Sequence, residues 1–263
     1  MFAALAKVVK ETLQEIDPSL QTVLPGMLGT VGAVFRMSLE LLDEQLYEGA
    51  GESIDVINMH WYDRWDELPQ AIDNTTALMA KYNISDKPLL LTEVGASNVA
   101  GDQPPHLPSD SPDNQAADVW RYFSIAFAHG VSAVHWHTYW SSGTQSTGWG
   151  GFGLVNPNAT HDPAYEAYAL WASTFPTLTI ATALAEDQGE DGLWAFRVQS
   201  AWVLWVSSSS SSTVNLSQLD PGHKVSSVDV TDVVTQAKKT GVPPARVPVS
   251  WVPVLVTVTG GEE

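Results

Sequence analysis

Four short apolar runs alternate with amphipathic helical stretches over the first 175 residues of the chain. The runs lie near positions 23, 57, 91 and 134. Their spacing of about 35 to 45 residues is typical of α/β units that carry loop insertions. The runs are apolar at consecutive positions, and strands buried on both faces that alternate with helices form parallel sheets covered by helices. The pattern therefore predicts an α/β fold for residues 1–175.

Apolar residues that recur every three to four positions predict the helices between these runs. The first helix carries Phe2, Leu5, Val9 and Leu13 on one face, and Asp17-Pro18 ends it because proline has no backbone donor. The first strand is predicted at Thr22–Leu24 and is stopped by Pro25-Gly26. The other predicted helices are Ser38–Tyr47, Leu68–Tyr82, Asn114–His129 and a stretch from Pro163 to about Ala172.

The pattern changes after about residue 175. Short β-branched runs separated by Gly, Pro and Ser replace the helical periodicity, which predicts a small antiparallel, β-sandwich-like domain over residues 176–263. The runs are Leu193–Val198, Ala201–Val206, Val225–Val230 and Val252–Val258.

The charge balance excludes several classes of function. A formal net charge of −18 repels phosphate backbones and anionic lipid, so neither nucleic acid nor a membrane surface is expected as a partner. The absence of cysteine excludes disulfides and thiolate chemistry. The first ten residues do not resemble a signal peptide, which favours a soluble, cytoplasmic protein, although the compartment stays open.

Polar and aromatic side chains collect where the predicted strands end. Ligands of parallel α/β sheets and barrels bind at the carboxyl ends of the strands. Pro25 and Gly26, after the first strand, look chemically silent. The other three ends carry the candidate site residues, which are His60, Tyr62, Glu93, His135, Trp136, His137 and Trp140.

Strand alternation predicts which of these side chains share a face. It places Glu93 on the face of Leu89 and Leu91, opposite Thr92. A carboxylate that closes an apolar strand either faces water or is held by donors, so a solvated or helix-capping Glu93 remains an equal alternative. The same rule groups Asn58 with His60 and Tyr62, and Ala133 with His135 and His137.

Several segments, in order, resemble clan A glycoside hydrolases, which are retaining enzymes built on a (β/α)8 barrel. Lys87–Gly95 is similar to their seventh strand, whose Glu is the nucleophile, and Asp55–Tyr62 to the sixth, which often ends in His-x-Tyr. Gly130–Trp136 resembles the eighth strand with its Trp, and Asp17–Gly26 the passage into the fifth. The tail at Pro253–Val256 looks like the β-sandwich that often follows these barrels.

The resemblance implies a role for each candidate residue. Glu93 would be the catalytic nucleophile, and Tyr62 and His60 would orient it. Trp136 would form the floor of the sugar subsite, while His135, His137 and Trp140 would contact hydroxyls or a neighbouring sugar. The implied activity is cleavage of β-glycosidic bonds, of the exo-acting β-galactosidase type, without a cofactor.

The chain lacks the first half of the family's barrel. A full barrel takes about 250 residues, and strands one to four have no counterpart here. The Asn-Glu motif that supplies the family's acid/base is absent. Retaining hydrolysis needs two carboxyl groups about 5 to 5.5 Å apart. The acid/base is therefore unassigned; the candidates are Asp63, which we prefer, Asp66, Asp102, His60, His135 and His137.

An incomplete barrel would leave a parallel strand edge uncovered, which proteins rarely tolerate. We therefore expect a homo-oligomer that covers this edge; a separate polypeptide that supplies the missing strands is the other possibility.

Two rival interpretations remain. One is a binding or assembly module that has lost turnover. The other, which we disfavour, is a metal site built from His60, His135, His137 and Glu93. Sugar stacking suits Trp140 and Trp149 better than core packing, because Trp140 lies beside and Trp149 lies in the Gly/Ser/Thr-rich loop from Ser141 to Gly153.

Overall fold

The computed structural model describes residues 1–29, 33–99, 111–141, 150–177, 181–187, 189, 191–208 and 210–259, with the backbone alone at 28, 29 and 33–36. Contacts divide the chain into two compact units. The first unit comprises Met1–Gly95 and Gly130–His137, and the second comprises Ala96–His129 and Thr138–Glu263. None of the described helices is both long and apolar enough to cross a membrane.

The first unit is built around a four-stranded parallel sheet in the order β1-β2-β3-β4. Three helices accompany the strands, as the alternating pattern predicts, and the mixed α/β fold is confirmed. The strands are β1 (Met27–Gly29), β2 (Ile57–Trp61), β3 (Leu89–Val94) and β4 (Ala133–Trp136), and the helices are α1 (Phe2–Ile16), α2 (Ala33–Tyr47) and α3 (Leu68–Lys81).

Strand β2 shows why the sheet forms where it does. Ile57, Met59 and Trp61 are at most 2% exposed, and Thr75 of α3 reaches the Met59 sulfur at 3.9 Å. Burial of side chains of this size stabilises a fold by about 1.5–3 kcal/mol each. The residues between them, Asn58 and His60, lie on the other row of the strand and are therefore available for the site.

The first strand does not lie where the sequence predicts it. Thr22–Leu24 makes only an isolated parallel bridge, between Val23 and Val56, and the ladder resumes at Met27, which pairs with Met59. The break falls at Pro25-Gly26. Proline has no N–H to donate to the ladder, so the pairing cannot continue through it.

Helix α1 has the predicted bounds but not the predicted environment. Only Ala6 is fully buried in it. Leu5, Val8, Val9 and Ile16 are 43–74% exposed, although they form the apolar face that a covering helix would bury. The described part of the chain therefore leaves this face of α1 largely uncovered.

The second unit combines helices α4 (Pro112–Ala128) and α5 (Pro163–Thr174) with an antiparallel sheet of six strands. Trp120 of α4 donates its indole N–H to the Ala167 carbonyl of α5 at 2.9 Å. The sheet has the order β10-β9-β12-β7-β6-β5, from β5 (Ala181–Glu186), β6 (Leu193–Val198), β7 (Ala201–Val206), β9 (Val228–Asp232), β10 (Lys238–Val242) and β12 (Val254–Val258). Strands β8 (Ser212–Val214) and β11 (Val247–Val249) form a separate pair, and α6 spans Leu216–Leu219.

The antiparallel prediction is confirmed for four of these strands: β6 and β7 have the predicted bounds, and β9 and β12 begin two or three residues late. The strands β5, β8, β10 and β11 were not predicted. Strand β10 shows the reason, because Lys238–Gly241 is exposed and lies at the sheet edge, so it has no apolar pattern to recognise.

Candidate active site

A β-bulge in β3 sets the position of Glu93. Met59 pairs with Leu91, but the next residue of β2, His60, pairs with Glu93, so Thr92 is the extra residue. The imidazole of His60 contacts both neighbours: Nε2 lies 3.1 Å from Thr92 Oγ1 and Nδ1 lies 3.2 Å from Glu93 Oε2. The bulge thus brings Thr92 and Glu93 to one face of the sheet.

This arrangement corrects the predicted strand alternation. Leu89 and Leu91 are 3% and 0% exposed, whereas the Glu93 side chain is 38% exposed and meets the polar row of β2. Simple alternation assumes an unbroken ladder, and the extra residue reverses the assignment for everything after it.

Both polar neighbours of Glu93 contact the same oxygen of its carboxylate. The Tyr62 hydroxyl donates to Oε2 through a short hydrogen bond, and His60 Nδ1 approaches the same atom. Neither contact involves Oε1. The carboxylate is therefore held through one oxygen while the other is not engaged by these two groups.

Burial tunes the two groups that hold Glu93. Burial and the hydrogen bond to Glu93 raise the pKa of the Tyr62 hydroxyl, so it remains a proton donor across the physiological range. Burial lowers the pKa of His60, with Glu93 opposing this and His137 reinforcing it. The net direction favours a neutral imidazole near pH 7. The His137 ring packs edge-on against Tyr62, with centroids 5.8 Å apart.

Gly26 makes room for His60. A Cβ at position 26 would lie 1.8 Å from His60 Nε2, far inside van der Waals contact. Gly26 carries no reactive group, but its lack of a side chain leaves the space that the His60 imidazole occupies. The sequence analysis missed this role because it predicts the first strand at Thr22–Leu24, whereas the strand that pairs beside His60 begins at Met27.

Asn58 is linked to the His60 imidazole through Thr92. Asn58 is 5% exposed, and its Oδ1 accepts hydrogen bonds from Thr92 Oγ1 at 2.8 Å and from the Thr92 backbone N–H at 3.3 Å. Sequence reasoning placed Asn58 on the correct face but gave neither Asn58 nor Thr92 a role. The contact between them depends on the bulge, which the sequence does not announce.

The remaining predicted site residues are placed as follows. His135 lies on β4 and is exposed, and Trp136 pairs with Val94 and is partly buried. Trp140 belongs to the second unit, where it bridges to Val155 and is 48% exposed. The structure thus brings His60 and Tyr62 onto Glu93 and His137 onto Tyr62. Among the described contacts of the first unit, none joins His135 to Glu93.

Burial argues against the preferred acid/base candidate. Asp63 is 0% exposed, and its Oδ1 accepts the Arg64 backbone N–H at 2.7 Å. A carboxyl group enclosed in this way does not face an open rim, so Asp63 is withdrawn as the preferred acid/base. Asp66 instead accepts a hydrogen bond from Arg64 Nε at 2.9 Å. Asp102 and Trp149 lie outside the described residues.

The described residues contain no group of three or more His, Asp or Glu side chains close enough to hold a metal ion. His60, His135, His137 and Glu93 therefore do not form such a group in this part of the chain. The polar contacts of His60 go instead to Thr92 and Glu93.

Comparisons with known proteins show similarity of fold. Neither protein-family profiles nor curated protein sequences give a match. Among solved structures, a family 39 glycoside hydrolase from the gut symbiont Bacteroides cellulosilyticus WH2 matches 97% of this chain with a TM-score of 0.72 and 18% identity. A glucosidase from Croceicoccus marinus matches 94% with a TM-score of 0.53 and 15% identity. A monomeric beta-xylosidase from Caulobacter crescentus CB15 matches 97% with a TM-score of 0.52 and 14% identity.

These similarities define a glycoside hydrolase-like fold. The chain covers 54%, 50% and 64% of the three matched chains, which is less than two thirds of each. At such low identity the similarity concerns the fold alone, so the chemistry must be argued from the side chains around Glu93.

Proposed function

We propose that this chain provides the nucleophile side of a retaining β-glycosidase site, with Glu93 as the nucleophile. The observation that carries the proposal is the geometry at Glu93. The Tyr62 hydroxyl and His60 Nδ1 both contact Oε2, and neither of them contacts Oε1. Oε1 would attack the anomeric carbon while the glycosidic oxygen leaves with a proton from a general acid. Water would then release the sugar from the glycosyl-enzyme.

The neighbours of Glu93 suit this role. Tyr62 and His60 hold the carboxylate in one orientation, which lowers the reorganisation needed for attack. We assign His135, Trp136, His137 and Trp140 to contacts with the sugar, as the resemblance implies. We also propose that residues 1–175 form the catalytic part and 176–263 an accessory β-domain.

The general acid has to come from outside the groups that hold Glu93. Tyr62 remains protonated but is bonded to the nucleophile, and Asp63 is buried against Arg64. We propose that a second polypeptide supplies the missing carboxyl group. The burial of Asp63 also favours the alternative function, a carbohydrate-binding or assembly module without turnover.

A panel of nitrophenyl β-glycosides tests the proposed function. We expect turnover of at least one of the β-galactoside, β-glucoside and β-xyloside, because activated leaving groups depend little on acid assistance. Proton NMR of the first-formed sugar should show the β-anomer, as retention requires. Formation of the α-anomer would contradict the mechanism. Sugar binding by calorimetry without any turnover would instead establish the binding module.

We further propose that a second copy of the chain covers the exposed face of α1 and the edge of β1. Within the described residues β1 pairs only with β2, so its other side is a free sheet edge. A cavity of about 440 Å³ lies between α1 and the segment that precedes β1. Its lining includes Leu5, Val9, Leu13, Val23 and Pro25. Apolar surface and an unpaired edge together favour association.

Size-exclusion chromatography with light scattering tests this association. We expect a dimer or larger species at micromolar concentration. Because each copy carries a formal net charge of −18, association should be tighter at 0.5 M than at 0.02 M NaCl. The double substitution Leu5→Glu and Val9→Glu should return the protein to a monomer, whereas Glu11→Gln on the same helix should not. A monomer of the unmodified chain under both salt conditions would refute the proposal.

A further inference from the structure

We propose that Thr92 is a positioning residue whose hydroxyl turns between His60 and Asn58, so that His60 presents an Nδ1 proton to Glu93 in both of its charge states. This inference rests on the proposed function only where it treats Glu93 as the nucleophile. The arrangement itself follows from the hydrogen bonds that link Asn58, Thr92, His60 and Glu93.

The orientation of the Asn58 amide is the first step. The Thr92 backbone N–H, which can only donate, points at the Asn58 side chain at 3.3 Å. The facing atom must therefore be the acceptor Oδ1 rather than the Nδ2 amide group. Oδ1 also lies 2.8 Å from Thr92 Oγ1, so the hydroxyl can donate its single proton there.

The Thr92 hydroxyl has a second place for that proton. Oγ1 lies 3.1 Å from His60 Nε2, and this contact works in either direction. If Nε2 carries a proton, the hydroxyl oxygen accepts it and donates to Asn58. If Nε2 is bare, the hydroxyl rotates and donates to Nε2, while Asn58 Oδ1 keeps the backbone N–H of Thr92.

The Glu93 carboxylate decides which arrangement each charge state uses. Nδ1 lies 3.2 Å from Oε2, and an unprotonated Nδ1 would place its lone pair against an anionic oxygen. Neutral His60 therefore carries its proton on Nδ1, which leaves Nε2 bare and draws the hydroxyl of Thr92 towards it. Protonated His60 keeps Nδ1–H on Glu93 and donates from Nε2 to Thr92.

The other groups facing His60 do not change this assignment. Tyr62 donates its hydroxyl proton to Glu93. Burial, reinforced by His137, lowers the pKa of His60, which favours the neutral form. Gly26 presents no side chain to Nε2. Thr92 is thus the side chain within hydrogen-bonding distance of Nε2 among the described contacts, and it can serve as donor or acceptor.

Nitrogen NMR of ¹⁵N-histidine-labelled protein tests the proposal without requiring turnover. In the intact protein, neutral His60 should show a protonated Nδ1 and a bare Nε2. Thr92→Val removes the hydroxyl that accepts from Nε2–H of charged His60 and donates to Nε2 of neutral His60. The hydrogen bond to the charged imidazole is the stronger of the two, so the charged form loses more. The midpoint of the His60 titration should therefore fall by about one pH unit.

The conservative variant provides the control. Thr92→Ser keeps the hydroxyl and should restore the titration midpoint, whereas a purely steric role for Thr92 would leave the Val variant unshifted. A protonated Nε2 in neutral His60, or equal midpoints in all three proteins, would overturn the proposal. If the NMR results are as expected but no aryl glycoside is cleaved, the proposed function fails while the role of Thr92 stands.

Discussion

Replacement of Glu93 by glutamine should lower kcat/KM on an activated aryl β-glycoside by about 10⁴-fold or more, since it removes the nucleophile itself. The amide preserves the shape of the side chain and can still accept from Tyr62, but it cannot form a glycosyl ester. Initial rates with the nitrophenyl substrate that the intact protein cleaves best provide the measurement.

Two further variants make this experiment specific. Glu40→Gln removes an exposed carboxylate from α2 in the same unit and should leave the rate unchanged. Glu93→Ala opens space at the nucleophile position, so added azide should attack in its place and restore turnover with formation of a glycosyl azide. If Glu93→Gln retains more than a tenth of the activity, Glu93 is not the nucleophile.

Substitution of Gly26 by alanine should lower the same rate by about 100-fold, the loss expected when a catalytic group is displaced by roughly 1 Å. The new methyl group would lie 1.8 Å from His60 Nε2, so the imidazole must move away from Thr92 and Glu93. The loss should fall on kcat, because the substituted residue itself is placed next to His60 and not next to the sugar.

The effect on stability should be much smaller than the effect on rate. The clashing group is a side chain that can rotate, and an off-rotamer side chain costs about 0.5–1.5 kcal/mol. At about 2–4 °C per kcal/mol for a chain of this size, Tm should fall by about 1–6 °C. Gly222→Ala is the matched control, because its Cβ would meet nothing closer than 3.9 Å. Equal rates for the two alanine variants would show that the position of His60 does not matter.

The candidate site was predictable to the extent that it depends on strand ends. The apolar run before Glu93 and the His-x-Tyr ending at Tyr62 identified two neighbouring strands, and β2 and β3 are indeed adjacent and parallel. The sequence pattern predicts such strands because a strand buried on both faces is apolar at consecutive positions of one segment. It also identified β6 and β7 with their observed bounds.

The sequence by itself determined the five long helices, the strands with a clear apolar pattern and the polar residues that stand at their ends, because these follow from the spacing of apolar side chains along one segment. Only the tertiary structure decided the bulge at Thr92, the fit of His60 against Gly26, the burial of Asp63 and the exposure of α1. Each of these depends on what a neighbouring strand or helix places opposite the residue. That information is absent from the segment itself, because register and coverage are set by pairs of elements distant in sequence.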